Sequence, residues 1–290
     1  MSRIAIQFFG HLRTFEKCFP SLKRRLLNHY DCDIFMHTWD MYNHNTQTRH
    51  KNANKTVDKQ YLMKKLGISE EQIIIEHQEI YNTGHYRGRG CTFGLQGIVS
   101  MYRSINTVNN IREKYQKKHK VKYDMVVCIR PDILLTDSLK LEKYINDEFN
   151  QDGKNFYFPG RLPDRTIYGF NCVELIDLLF FAKPDAMTKF CSISYLPIKD
   201  GDVISYAPEG FLVDKVLKAK LKPVYLADFK SFRIKRPLQH LHLSRSSIIS
   251  LHLNKKGIYF QLLRIFPPII DIKTKIFNRF DIWFSIGKID

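Results

Sequence analysis

The chain has 290 residues, 44% of them apolar, which is enough to bury a large core and too many for global disorder. Lys and Arg number 46 against 29 Asp and Glu, a net charge of +17, which points to a polyanionic neighbour or substrate such as a phosphate, a nucleic acid or an anionic lipid. No run reaches the roughly 18 consecutive apolar residues that a bilayer span requires. The opening apolar run is interrupted too early, by Gly10, His11 and Arg13, for a secretory leader, so a cytoplasmic protein is expected.

Along the chain, short apolar runs alternate with amphipathic segments, the pattern of strands feeding helices in a mainly parallel α/β sheet. Ile4 to Phe9 reads as the first strand; Thr14 caps a helix running to about Asn28, and Asp33 to His37 is the next strand. The polar stretch from Met41 to Asn54 reads as a long loop or lid. Lys59 to Leu66 is a short helix closed by Gly67, and Ile73 to Glu76 a third strand. Between them and the next helix lies a glycine-rich stretch, Gly84 to Gly94, whose Arg87 and Arg89 suit either closure over phosphates or a surface turn.

Gly97 to His119 carries Ile98, Met101, Tyr102, Ile105, Val108 and Ile111 at helical spacing and ends in Lys117, Lys118 and Lys120, suited to a helix C-terminus. Tyr123 to Ile129 is nearly all apolar, as a central parallel strand covered on both faces should be. Further strands are expected at Phe156 to Phe158, Leu178 to Ala182 and Val224 to Leu226, with helices opening at Pro184 and Pro208. The six cysteines, Cys18, Cys32, Cys91, Cys128, Cys172 and Cys191, contain no Cys-x-x-Cys pair and read mostly as buried free thiols. His240 and His242 have no third ligand at recognisable spacing.

In an open α/β sheet, ligands bind outside the carboxyl ends of the strands. Those ends carry Gly10-His11-Leu12-Arg13, His37-Thr38-Trp39-Asp40, His77 and Arg130-Pro131-Asp132, a set of cations, an aromatic plane and carboxylates that suits a nucleotide diphosphate. An Arg and an Asp directly after a buried strand are costly unless they face a ligand or each other. Asp132 can bind a divalent ion bridging phosphates; the bland alternative is a local Arg130–Asp132 ion pair.

Taken in order, the segments Gly10 to Phe15, Asp33 to Trp39, Ser100 to Ile105 and Tyr123 to Asp132, then Asp177 with Phe180-Phe181-Ala182 and Met187, and Pro208-Glu209, resemble bacterial glycosyltransferases of capsule and lipo-oligosaccharide clusters. The resemblance covers roughly residues 3–236 and implies a GT-A-like, Rossmann-like catalytic domain over 1–236, with a nucleotide-sugar-binding half (1–140) and an acceptor-side half (141–236). It implies transfer of a sugar from a nucleotide-activated donor to a surface glycan or lipid-linked acceptor. Gly10, Arg13, Trp39, Arg130 and Asp132 then fall on the donor side, and Asp132 takes the metal or donor-phosphate role of an Asp-x-Asp motif, with transfer open either to Mg2+ or Mn2+ as the cofactor or to no metal. The first acid of that motif is here Arg130, which can neutralise a diphosphate itself. Asp177 and Glu209 are the candidate catalytic bases.

Residues 237–290 read as a basic amphipathic helical appendage: Lys230 to Asp290 carries 12 Lys and Arg, 3 Asp and no Glu among large apolar residues. That mixture suits docking on an anionic membrane surface at the inner face of the cytoplasmic membrane, or burial against the catalytic domain or a second subunit in a homodimer. A methyl or phospho-group transferase on the same glycan is the competing enzyme class. A nucleic-acid-binding protein is the competing non-enzyme, and no recognition module for one is present.

Overall fold

The structure is a computed structural model, and it describes residues 1–43, 55–79, 84–88, 91–159, 178–193, 201, 203–204, 210–226 and 232–234. Its first half contains β1 (Arg3–Phe9), α1 (Phe15–Arg25), β2 (Asp31–Trp39), α2 (Lys59–Leu66), β3 (Ile73–Glu76), β4 (His85–Gly88), β5 (Cys91–Gly94), α3 (Leu95–His119) and β6 (Met125–Ile129). There follow β7 (Ile133–Leu135), α4 (Glu142–Ile145), β8 (Asn155–Pro159), β9 (Leu179–Ala182), α5 (Pro184–Ser192), β10 (Val203–Ile204), α6 (Gly210–Lys218), β11 (Lys222–Leu226) and β12 (Phe232–Ile234).

Seven strands form one sheet in the order β11-β8-β9-β6-β1-β2-β3. β6, β1, β2 and β3 run parallel, and β9 is antiparallel to both β6 and β8. The α/β class, the mainly parallel sheet and the flanking helices are those expected from the sequence; the reversed β9 is not, because an apolar tetrapeptide covered on both faces reads the same in either direction.

Period-2 alternation in β1 sends Ile4, Ile6 and Phe8 into the core under α1 and α2, and Ala5 and Phe9 into the core under α3, α5 and α6. Gln7 also faces α3, fully buried, where its Nε2 donates to Asn109 Oδ1 at 3.2 Å and its Oε1 accepts from Cys128 Sγ at 2.8 Å. Cys18, Cys128 and Cys191 are buried free thiols, as their apolar surroundings predict.

Local signals account for several boundaries. Gly67 closes α2 at φ 68°, and Asp58 caps it by accepting from the Tyr61 N–H at 3.0 Å. The first helix stops at Arg25, short of the expected Asn28, and gives way to a 3-10 turn at Leu27–His29. In the glycine-rich stretch, β4 and β5 pair antiparallel and β10 joins β4 in a three-stranded sheet, so the described residues form strands where a turn or loop was expected; Arg89 lies outside the described residues. Among the described residues no helix is long and apolar enough to cross a membrane. The basic appendage at 237–290, with His240 and His242, lies outside the described residues.

Candidate functional site

The chain leaves β1 for β2 and β3 on one side, and α3 then carries it back to β6 on the other. Strand order therefore reverses between β1 and β6, and a crevice opens outside the carboxyl ends of strands at such a switch point. Phe8 lies level with Ile129, so the residues following both strands emerge side by side.

Three of the predicted residues meet there. Asp132 is fully buried, and its Oδ1 accepts from Arg130 Nε at 3.0 Å. Its Oδ2 accepts from Arg130 Nη2 at 2.6 Å and from Arg13 Nη1 at 3.1 Å. Burial alone would raise the Asp132 pKa, but the two guanidiniums outweigh it and hold the carboxyl below its ordinary value. The arginine side chains retain only 15% (Arg13) and 13% (Arg130) exposure, while the Asp132 side chain is fully enclosed behind them.

The turn that brings Arg13 to this place is held in an unusual conformation. Gly10 has φ 86°, open to glycine at little cost, whereas Arg13 has φ 46°, left-handed for a residue with a Cβ. The Arg13 N–H donates to the Tyr42 carbonyl at 2.9 Å, and the Gly10 N–H donates to Ser104 Oγ on α3 at 2.7 Å.

The other strand tips are joined to this one. His11 spans Met41 O and Gln78 Oε1, both at 3.0 Å, linking the exits of β1, β2 and β3. The Asp40 carboxylate accepts from His77 Nδ1 at 2.7 Å, which raises the His77 pKa. His37 is fully buried; its Nδ1 lies 2.7 Å from Ser104 Oγ and its Nε2 3.3 Å from Glu76 Oε2, which also accepts from Arg103 Nε at 2.9 Å. Burial pulls the His37 pKa down to about 4 against the pull of Glu76, so the ring is neutral.

Trp39 differs from expectation. It is 1% exposed, with the His37 ring edge-on at 4.9 Å and the His11 ring at 6.3 Å, so its plane packs on histidines and presents no open face to a nucleobase. The metal role expected of Asp132 also meets a physical obstacle: both oxygens are committed to guanidiniums, and two cations beside one anion repel a divalent ion. Among the described residues no cluster of three or more His, Cys, Asp or Glu side chains is placed to hold a metal. Asp177 and Glu209 lie outside the described residues. Sequence reasoning missed Gln7, Ser104, Glu76 and Asn109 as members of the buried polar chains; the signal for Gln7 was an amide inside an otherwise apolar strand.

A family model described as "Domain of unknown function (DUF7796)" matches residues 1–169, which include every site residue placed above. No curated protein matches the sequence. Solved structures that overlap the fold include these two. One is a Drosophila β-1,4-galactosyltransferase 7 mutant in complex with manganese, UDP-Gal and xylobiose, at 10% identity over 84% of this chain and 74% of that one, with TM-score 0.39. The other, described as a glucose-1-phosphate thymidylyltransferase of Bacillus anthracis in complex with sucrose, has 11% identity over 88% of this chain and 98% of that one, also at 0.39. A likeness of that degree carries no argument, and the α/β fold stands on its own strand order.

Proposed function

The chain belongs to the DUF7796 family, and on that premise we propose that it is a nucleotide-sugar-dependent glycosyltransferase of GT-A type. The reading is carried by one observation: Arg13 and Arg130 converge on buried Asp132 at the switch point of a mainly parallel sheet. Guanidiniums preorganised at the carboxyl ends of the strands are complementary to a diphosphate, and charge-assisted hydrogen bonds to them contribute about 1.5 to 3 kcal/mol each. In sugar transfer the bond between the anomeric carbon and the phosphate oxygen breaks while an acceptor hydroxyl bonds to that carbon. Negative charge then grows on the departing diphosphate, where Arg13 and Arg130 stabilise it. Asp132 holds both cations in place and need not touch the substrate.

On the acceptor side, Asp177 or Glu209 takes the proton of the attacking hydroxyl in this reading. The acceptor is a bacterial surface glycan of the capsule or lipo-oligosaccharide kind, and the basic tail brings the enzyme to the inner face of the cytoplasmic membrane. That part of the proposal rests on sequence resemblance and charge alone. A thermal-shift screen with UDP, GDP, CMP and S-adenosylmethionine tests the central reading. Stabilisation by a nucleoside phosphate supports it; stabilisation by S-adenosylmethionine alone would replace it with methyl transfer.

A further inference from the structure

The polar chain behind the β1 turn has a direction. Ser104 is fully buried; its Oγ accepts the Gly10 N–H at 2.7 Å, and its own proton has two acceptors in reach, His37 Nδ1 at 2.7 Å and the His37 carbonyl at 3.5 Å, of which the ring nitrogen makes the closer contact. A ring that accepts at Nδ1 carries its proton on Nε2, which then lies 3.3 Å from Glu76 Oε2, the same oxygen that accepts from Arg103 Nε. That tautomer places the Nε2 proton at ion-pair distance from Glu76 without an aligned hydrogen bond to it. A buried imidazole and a buried hydroxyl are costly without partners, so their retention at this point calls for a reason.

We propose that Ser104 and His37 are positioning residues, which hold the Gly10 amide and thereby the left-handed turn that delivers the Arg13 guanidinium to Asp132 for phosphate binding. The turn needs such a hold because Arg13 at φ 46° is left-handed, which is intrinsically unfavourable for a residue with a Cβ. Other restraints on the turn include the Arg13 N–H to the Tyr42 carbonyl at 2.9 Å and the His11 contacts to Met41 O and Gln78 Oε1. The neutrality of His37 suits the role, since an imidazolium would have to donate at Nδ1 and would leave the Ser104 hydroxyl only the His37 carbonyl at 3.5 Å.

The inference rests on the phosphate reading for its function and on the relay for its geometry, and the test separates the two. Nitrogen NMR of the full-length protein, above about pH 5 where His37 is neutral, should show Nε2 protonated and Nδ1 accepting. Ser104→Ala should speed exchange of the Gly10 amide at least about tenfold. A ring protonated at Nδ1, or Gly10 exchange unchanged in the variant, overturns the relay. Titration with inorganic pyrophosphate and with UDP should then show Ser104→Ala weakened about tenfold, a loss of about 1.4 kcal/mol. Ser104→Thr, which keeps the hydroxyl, should stay within about threefold. Equal binding by Ser104→Ala and wild type overturns the positioning role. Failure of the wild type to bind pyrophosphate or any nucleotide overturns both the role and the phosphate reading, leaving a relay that only braces the fold.

Discussion

Asp132 is caught between two arginines and excluded from solvent, so exchanging its charge for an amide leaves two buried cations facing each other. Asp132→Asn should cost about 3 kcal/mol of stability, the size seen when one partner of a buried pair is removed. Chemical denaturation measures it, and a variant as stable as wild type would contradict the assigned contacts. The sign of the pH dependence follows from the depressed pKa. A carboxylate held below its unfolded value of about 3.9 stabilises the protein above that value, and the contribution disappears as pH falls through the folded one. Acid denaturation of Asp132→Asn should therefore be shallower than that of wild type. At this scale the sequence offered the Arg130–Asp132 pair as one of two readings, because ionised residues directly after an apolar strand must face either a ligand or each other. It could not disclose that Arg13, 119 positions away, supplies the third member, since only the β1–β6 register brings them together.

Along the elements, the parallel strands and α3 were legible because burial on both faces leaves a continuous apolar run and a long helix keeps its 3.6 periodicity. The β4–β5 hairpin was not, since glycine-rich strands carry almost no alternation. Also hidden was Lys215 on α6, which is 2% exposed, donates to Asn106 Oδ1 at 3.1 Å, and lies over the rings of Phe190 at 4.6 Å and Tyr102 at 4.8 Å. Nothing in the pattern Phe-Leu-Val-Asp-Lys-Val-Leu distinguishes a buried lysine from one on the solvent face. Burial lowers its pKa from 10.5 to about 8, so between those values the unfolded chain binds more protons than the folded one, and stability must rise with pH across that window. Lys215→Met should be at least as stable as wild type at neutral pH and should lose that rise. Denaturation midpoints collected across the window decide it: an identical slope in both proteins would mean Lys215 is hydrated.

For the whole molecule, the +17 charge is unevenly placed, with a basic, aromatic-rich segment following the α/β domain. If that segment meets anionic lipid, each Lys or Arg near the surface contributes about 1 kcal/mol. Full-length protein should then float with vesicles containing acidic phospholipid at low salt, and a chain ending near Arg236 should not. Equal behaviour of the two would assign the tail to core or oligomer contacts. Position along the chain told nothing about acceptor chemistry, because acceptor specificity lies in loops and no local pattern encodes it.

The most direct test of the account is calorimetric titration of nucleoside diphosphates into wild type, Arg130→Ala and Arg13→Ala, with circular dichroism to show that each variant is folded. The account predicts that wild type binds at least one nucleoside diphosphate and that each variant binds it at least about tenfold more weakly, the loss of one charge-assisted contact. Folded variants that bind as tightly as wild type, or a wild type indifferent to every diphosphate, would contradict it.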